Sequence, residues 1–383
     1  MRTTLTLLMA VSLGFGCKTA PQSTASVDWN AGEILAGTRS LILESQVKDP
    51  YYGGKRHLLL QCWYPIEDFP LSAERADYLP FFEVVKNESS IYSEEDIEAV
   101  SMIKTRSLAG VRIKRQSGGF PVLLFSPALG SHTSSYTYLA EELVAAGYVV
   151  IGINHQYESE YVLDPVGRYI PANLRFHDSL KEIPIPDQIS ADEYRAAKAP
   201  RQELLAADIA FALAELKKLN PSTFANQLDF SRLGAWGHSI GGAAVTEAAR
   251  KGKQIKAVAN LDGTPTSASL ADGIALPFMY LEDLTDYRRH PGYKIQFERR
   301  DAFCALSGQT AYRILFEGID HSSFYDYAYQ FEQNTPQGMA QKQNLDKFAF
   351  YLERFFDRHI LAEDSIIEPR LSDSLEIFVY PKP

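Results

Sequence analysis

The stretch Leu233-Gly-Ala-Trp-Gly-His-Ser-Ile-Gly-Gly-Ala-Ala244 decides how the rest of this chain is read. It contains Gly237-His238-Ser239-Ile240-Gly241, which matches G-x-S-x-G, the turn that presents a nucleophilic serine between a strand and a helix. Such a turn holds the serine in a sparsely populated backbone conformation, and glycine two places to either side lets neighbouring segments approach. Ser231 to Trp236 reads as a short buried strand, and Gly242 to Arg250 is alanine-rich with helical character. The bland alternative is a glycine-rich turn with a solvent-facing serine. Partners elsewhere in the chain separate the two readings.

Upstream, Phe120-Pro-Val-Leu-Leu-Phe125 is a continuous apolar run, the mark of a strand covered on both faces. Tyr136 to Ala146 follows with helical spacing and ends at Gly147, and Tyr148-Val-Val-Ile-Gly-Ile153 is the next strand. Arg201 to Leu219 is an amphipathic helix with Leu204, Leu205, Ile209, Leu213 and Leu216 on one face, stopped by Asn220-Pro221. Downstream, Lys256 to Leu261, Leu276 to Leu281 and Ala311 to Phe316 read as strands, and Leu345 to Ile360 as a closing helix. Nearer the start, His57 to Tyr64 is a strand stopped by Pro65, and Glu94 to Ser107 looks helical. Strands alternating with helices imply an α/β fold, a mostly parallel central sheet with helices on both faces.

The chain has 383 residues, 45% hydrophobic and 22% charged, which suits one domain over 46–383 with no linker through its middle. Residues 154–200 form an irregular polar insertion with five prolines ahead of the serine turn, and its length makes it a candidate lid. Net charge is −10, with Lys and Arg dispersed among acids, so no nucleic-acid partner is expected.

Residues 1–17 read as an export signal: Arg2, then the apolar run Leu5 to Gly16, then Cys17. The run is too short to span a bilayer as a stable helix. Leu13 and Gly16 before Cys17 resemble a bacterial lipoprotein signal, although Gly14 departs from that motif. Cys17 is then the expected lipid attachment site, with membrane association through it. Plain secretion and an uncleaved anchor are the alternatives. Residues 18–45 are read as a flexible tether. Cys62 and Cys304 are expected as two separate buried thiols, and no residue spacing calls for a metal or other cofactor.

A serine needs a base, and the base needs an orienting acid. In a sheet of this kind the expected chain order is Ser, then Asp or Glu, then His. Three histidines follow Ser239: His290 in a polar loop, His359 near a helix end, and His321 in Gly318-Ile-Asp-His-Ser-Ser-Phe324. His321 lies just after the last strand, where a base must be. Asp262 and the pair Glu282/Asp283 both end strands, at the edge where such sheets place their sites. Pattern alone leaves the acid open between them.

With Gly-His-Ser-Ile-Gly-Gly, Leu261-Asp-Gly263 and His321-Ser-Ser-Phe324 in hand, the chain resembles the plasma-type platelet-activating-factor acetylhydrolase family. The likeness runs from about His57 to Ile360. It includes Trp63-Tyr-Pro65, Phe125-Ser-Pro-Ala-Leu-Gly130 and Ala146-Gly-Tyr-Val-Val150. The resemblance implies an α/β-hydrolase fold and a calcium-independent serine hydrolase of short or oxidised acyl esters, phospholipids among them. It implies Ser239, Asp262 and His321 as catalytic residues, and the backbone N–H groups of Ile240 and Leu129 as the oxyanion hole. Those relatives carry His-Gly where this chain has Pro127-Ala128, and Pro127 has no N–H to donate. Ser126-Pro127 is shared instead with polyester-hydrolase or cutinase-like relatives, which take their acid from the later strand. That class, with dienelactone-type hydrolases, is the alternative reading; a binding protein without catalysis is the third, and the presence of all three residues weighs against it.

Overall fold

The computed structural model describes residues 36–50, 52–67, 73–173, 191–284, 291–368 and 375–381. Every residue of the run Phe120–Ser126 is buried in a strand, β5, as a strand covered on both faces must be. Val122 and Leu124 enter one apolar core and Leu123 and Phe125 another, because successive side chains leave opposite faces of the sheet.

The other strands are β1 (Ala36–Lys48), β2 (Lys55–Tyr64), β3 (Arg75–Asp77), β4 (Lys104–Ala109), β6 (Val149–His155), β7 (Tyr161–Leu163), β8 (Tyr169–Pro171), β9 (Leu228–His238), β10 (Ala257–Leu261), β11 (Phe278–Asp283), β12 (Ala311–Phe316) and β13 (Leu375–Tyr380). Eleven form one sheet in the order β13-β12-β11-β10-β9-β5-β6-β2-β1-β4-β3. From β12 to β6 all neighbours are parallel; β13 and β2 flank that block antiparallel. One core receives the helices Ala191–Thr223 and Ile240–Lys251, and the other receives Thr137–Ala145 and Pro336–Phe356. This is the α/β architecture read from the sequence.

The path of the chain reverses at β5, since β6 lies on one side of it and β9 on the other. Open α/β sheets bind ligands outside the carboxyl ends of the strands at such a switch point. Ser126 pairs with Gly237, and Leu261 with His238, so β5, β9 and β10 end nearly level there.

Several expectations need correction. The tether expected over 18–45 is strand β1 from Ala36 onward: it pairs along β2 from Gly37↔Tyr64 to Ser45↔Arg56, and Ala36 and Leu43 enter the apolar cores. The helix expected over Glu94 to Ser107 ends at Ser101, and Lys104–Ala109 is β4. Ser93 and Asp96 start that helix with a reciprocal capping box. The helix before β9 begins at Ala191 and runs to Thr223, so it contains Pro200 and Pro221. The closing helix begins at Pro336, capped by Thr335, well before the first apolar residue that signals it.

The insertion 154–200 is not a solvated loop over its first half. Residues 154–164 are buried except half-buried Tyr157, and β7 and β8 form a hairpin. Two of its carboxylates are paired: Glu158 Oε2 meets Arg201 Nε at 2.7 Å, and Asp164 accepts a hydrogen bond from Arg168 Nε at 2.9 Å. Residues 174–190 lie outside the described residues, as does the segment 1–35 with its expected export signal and Cys17. Among the described residues no helix is long and apolar enough to cross a membrane. Cys62 and Cys304 are buried, unpaired thiols, and burial pushes Cys62 up to about 12.

Candidate active site

Strand β9 ends at His238 and the helix Ile240–Lys251 begins one residue later, so Ser239 alone makes the turn. It does so at φ 56° and ψ −122°, a conformation with positive φ that a residue with a Cβ adopts only under constraint. The flanking glycines make the constraint physically feasible. A Cβ on Gly237 would lie 2.5 Å from the backbone of Gly241. A Cβ on Gly241 would lie 2.1 Å from Ser126 O and 2.4 Å from Pro127 O. The serine N–H donates to Leu261 O at 2.8 Å, tying the turn to the end of β10.

Asp262 follows β10 directly, also at positive φ (52°), and its N–H donates to Leu281 O at 2.9 Å. Its Oδ2 lies 2.5 Å from His321 Nδ1, and its Oδ1 accepts from Arg300 Nη1 at 2.6 Å. Burial pushes the Asp262 carboxyl up, but the charge of Arg300 and the hydrogen bond from His321 outweigh it and hold the group well below the usual carboxylate range. An ionised Asp262 accepts a hydrogen bond from Nδ1–H and so leaves Nε2 free to act as a base.

His321 opens the short 3₁₀ turn His321–Phe324 after β12, and Asp320 caps that turn by accepting from Ser322 N. Phe324 beneath it is fully buried against Phe348, with ring centroids 4.6 Å apart. The His321 ring sits 4.7 Å from the ring of His238, the residue next to the serine. Among the described residues no hydrogen bond joins Ser239 Oγ to His321; such bonds often tighten only with substrate in place. The structure thus brings Ser239, Asp262 and His321 to one end of the sheet.

Of the rival pair at the end of β11, both are buried and Glu282 is engaged elsewhere. Glu282 is buried, with Oε2 accepting from Arg313 Nη2 at 2.6 Å and Nε at 3.1 Å, and Oε1 3.3 Å from Arg300 Nη1. His290 falls outside the described residues, and His359 makes a 3.3 Å contact with Tyr312 Oη far along the chain from the serine turn.

The two expected oxyanion donors are sorted by what their neighbours do. Ile240 is the first residue of its helix, so its N–H has no partner within that helix. In the loop after β5, Pro127 has no N–H, Ala128 N donates to Tyr136 Oη at 3.1 Å, and Gly130 N donates to Glu158 O at 2.7 Å. Leu129 N, between them, has no hydrogen-bond partner among the described residues.

Sequence reasoning missed Arg300 and Tyr136. Arg300 is one of two adjacent arginines on the helix Pro291–Ala305, and nothing in its neighbours marks it. Tyr136 Oη accepts from Ala128 N and lies 2.7 Å from His238 Nδ1, so it joins the oxyanion-side loop to the residue before the serine. Only the fold places those residues together.

No family model matches the chain. A 145-residue stretch, 38% of the chain, is 27% identical to a protein of Arthroderma benhamiae described as a probable 1-alkyl-2-acetylglycerophosphocholine esterase. That match spans 32%, about a third, of the relative's own length. Among solved structures, a ferulic acid esterase from Streptomyces cinnamoneus superposes with a TM-score of 0.67 at 25% identity, covering 89% of this chain and 95% of that one. Both similar proteins are thus named esterases, and the chain has the α/β-hydrolase fold.

Proposed function

We propose that this chain is a serine carboxylic ester hydrolase. The observation that carries the reading is the 2.5 Å bond between Asp262 and His321, set beside a serine held at positive φ where β9 meets its helix. Ser239 Oγ attacks the ester carbonyl carbon while His321 Nε2 takes its proton. The carbonyl π pair moves onto oxygen, and the N–H groups of Ile240 and Leu129 stabilise that oxyanion. Collapse expels the alcohol, which receives the proton from His321, and leaves an acyl-serine. Water, deprotonated by His321, then releases the acid and restores the serine.

The preferred substrates are esters with short or oxidised acyl chains, the sn-2 position of phospholipids among them. Support comes from the acetylhydrolase resemblance, the name of the Arthroderma relative, and the acid's place after β10 rather than β11. The superposition of 89% of this chain on a ferulic acid esterase favours a second reading, in which the acyl group is aromatic. We further propose export with lipid attachment at Cys17, on the strength of the leader pattern. A mass shift on an N-terminal peptide beginning at Cys17 tests it; cleavage elsewhere would refute it.

Hydrolysis of acetyl through palmitoyl esters, matching sn-2 phospholipids and a feruloyl ester, with chelator present, tests the main reading. Turnover confined to short chains and lost in Ser239→Ala supports it, and preference for the feruloyl ester supports the second reading. A folded protein inactive on every ester refutes both.

A further inference from the structure

A second Ser-His-Asp arrangement lies behind the first, wholly inside the protein. Ser126 Oγ is 3.0 Å from His155 Nε2, and His155 Nδ1 is 2.9 Å from Asp208 Oδ2. Ser126 and His155 are at most 1% exposed, and Asp208 is buried with them, so no substrate reaches this serine. Asp208 is clasped by buried Arg56, whose Nε and Nη2 reach its oxygens at 2.8 Å, while Arg56 Nη1 meets Asp49 at 2.7 Å and Gln156 O at 3.1 Å. Burial pushes Asp208 up, yet Arg56 and His155 outweigh it and leave it below the usual carboxylate range. Burial pushes the His155 imidazole below its usual value, against the pull of Asp208. The ionised acid takes Nδ1–H, so Nε2 is an acceptor and the Ser126 hydroxyl donates to it.

The position of Ser126 gives this cluster a use. It ends β5 and begins the loop that carries Leu129. Its carbonyl and that of Pro127 press on Gly241, so the loop is seated on the first turn of the nucleophile helix. The same loop is laced to the insertion by Gly130 N–H to Glu158 O (2.7 Å) and by Glu160 N–H to Ser131 O (3.2 Å). His155 ends β6 and Asp208 lies on the helix Ala191–Thr223, so one contact chain ties the loop to β2, β6 and that helix.

We propose that Ser126, His155 and Asp208 form a positioning relay that sets the oxyanion loop, and that its loss misplaces the Leu129 N–H without touching substrate binding. The inference rests on the ester-hydrolase reading above. A donor displaced from the developing oxyanion is missed in the transition state and little missed in the ground state, so kcat falls and KM holds.

The test compares the full chain with Ser126→Ala, His155→Leu and the double variant. Three readouts are taken: fluorophosphonate titration of Ser239, kcat and KM on a short-chain ester, and affinities for an alkylboronic acid and for the substrate's ether analogue. Full labelling is expected for Ser126→Ala, with kcat lower by roughly 10- to 100-fold, KM within about twofold, and boronate affinity lower by the same factor as kcat. Ether-analogue affinity should not change, and the double variant should be no worse than the poorer single one. A labelled Ser126→Ala with kcat within about threefold of wild type overturns the relay, as does a loss that boronate affinity does not follow, or one matching the unlabelled fraction. Wild-type protein that neither labels nor hydrolyses any ester overturns the hydrolase reading and the relay with it.

Discussion

Arg300 Nη1 grips Asp262 Oδ1 at 2.6 Å while the other oxygen of the same carboxylate holds His321 Nδ1 at 2.5 Å. The arginine also reaches the Asp262 carbonyl at 3.1 Å and Thr264 Oγ1 at 3.2 Å, so it fixes backbone and side chain together. Arg300→Met should destabilise the fold by about 3 kcal/mol at neutral pH, as breaking a largely buried pair does. The sign with pH follows from a depressed carboxyl: the stability it contributes is present above the unfolded value near 4 and is lost as pH falls toward the folded one. Urea unfolding of both proteins should therefore give curves that separate above about pH 4 and converge below it.

The identity of the acid is open to a paired substitution. Asp262→Asn should lower kcat by about 10⁴-fold, because the amide cannot hold the imidazole in the required tautomer. Glu282→Gln touches Arg313 and Arg300 but not His321, and should leave kcat within about tenfold while lowering stability. Steady-state kinetics on one short ester checks both; the reverse ranking would move the acid to β11.

Gly241→Ala probes the contact between the two halves of the proposed oxyanion hole. The added methyl would lie 2.1 Å from Ser126 O, and backbone cannot yield as a flexible side chain does, so the loop bearing Leu129 must shift. The expected result is a folded protein of reduced stability with kcat down by roughly 10²-fold, the scale of losing one oxyanion donor. Fluorophosphonate titration separates slow turnover from an unfolded fraction.

Glu160 should make stability fall as pH rises. It is fully buried, and desolvation pushes its carboxyl up to about 7. A raised carboxyl contributes stability that is complete below the unfolded value and is lost as pH climbs through the folded one. Between about pH 4.5 and 7.5, wild type should lose on the order of 3 kcal/mol from this group, and Glu160→Gln should flatten the dependence. Chemical denaturation at several pH values reads it directly.

The parallel core of the sheet was legible because its strands are continuous apolar runs: Ala311–Phe316 was read to the residue, and Phe120–Phe125 to within one. The serine turn was legible because sterics restrict its glycines. What escaped notice was structure held by pairing and charge. β1 mixes the polar runs Thr38-Arg-Ser40 and Glu44-Ser-Gln46 with a short apolar run, Leu41-Ile-Leu43, within the segment read as a tether, and the polar makeup of the insertion conceals a buried charge whose partner lies well along the chain. Arg201 for Glu158 is such a partner, 43 residues away, and Arg56 does the same for Asp208 on the helix that follows, across 152 residues. The choice between Asp262 and the pair Glu282/Asp283 was of the same kind, since local pattern does not say which carboxylate meets His321.

The lacing of residues 158–160 to Gly130 and Ser131 has a bearing on how such a protein changes over generations. In many scaffolds the loops that choose a substrate can be exchanged while the chemical machinery stays fixed. Here the segment at the mouth of the sheet shares backbone hydrogen bonds with the loop that would receive the oxyanion. Recombination at this point therefore trades specificity and turnover as one heritable unit, and a transplanted insertion would carry its donor's rate with it.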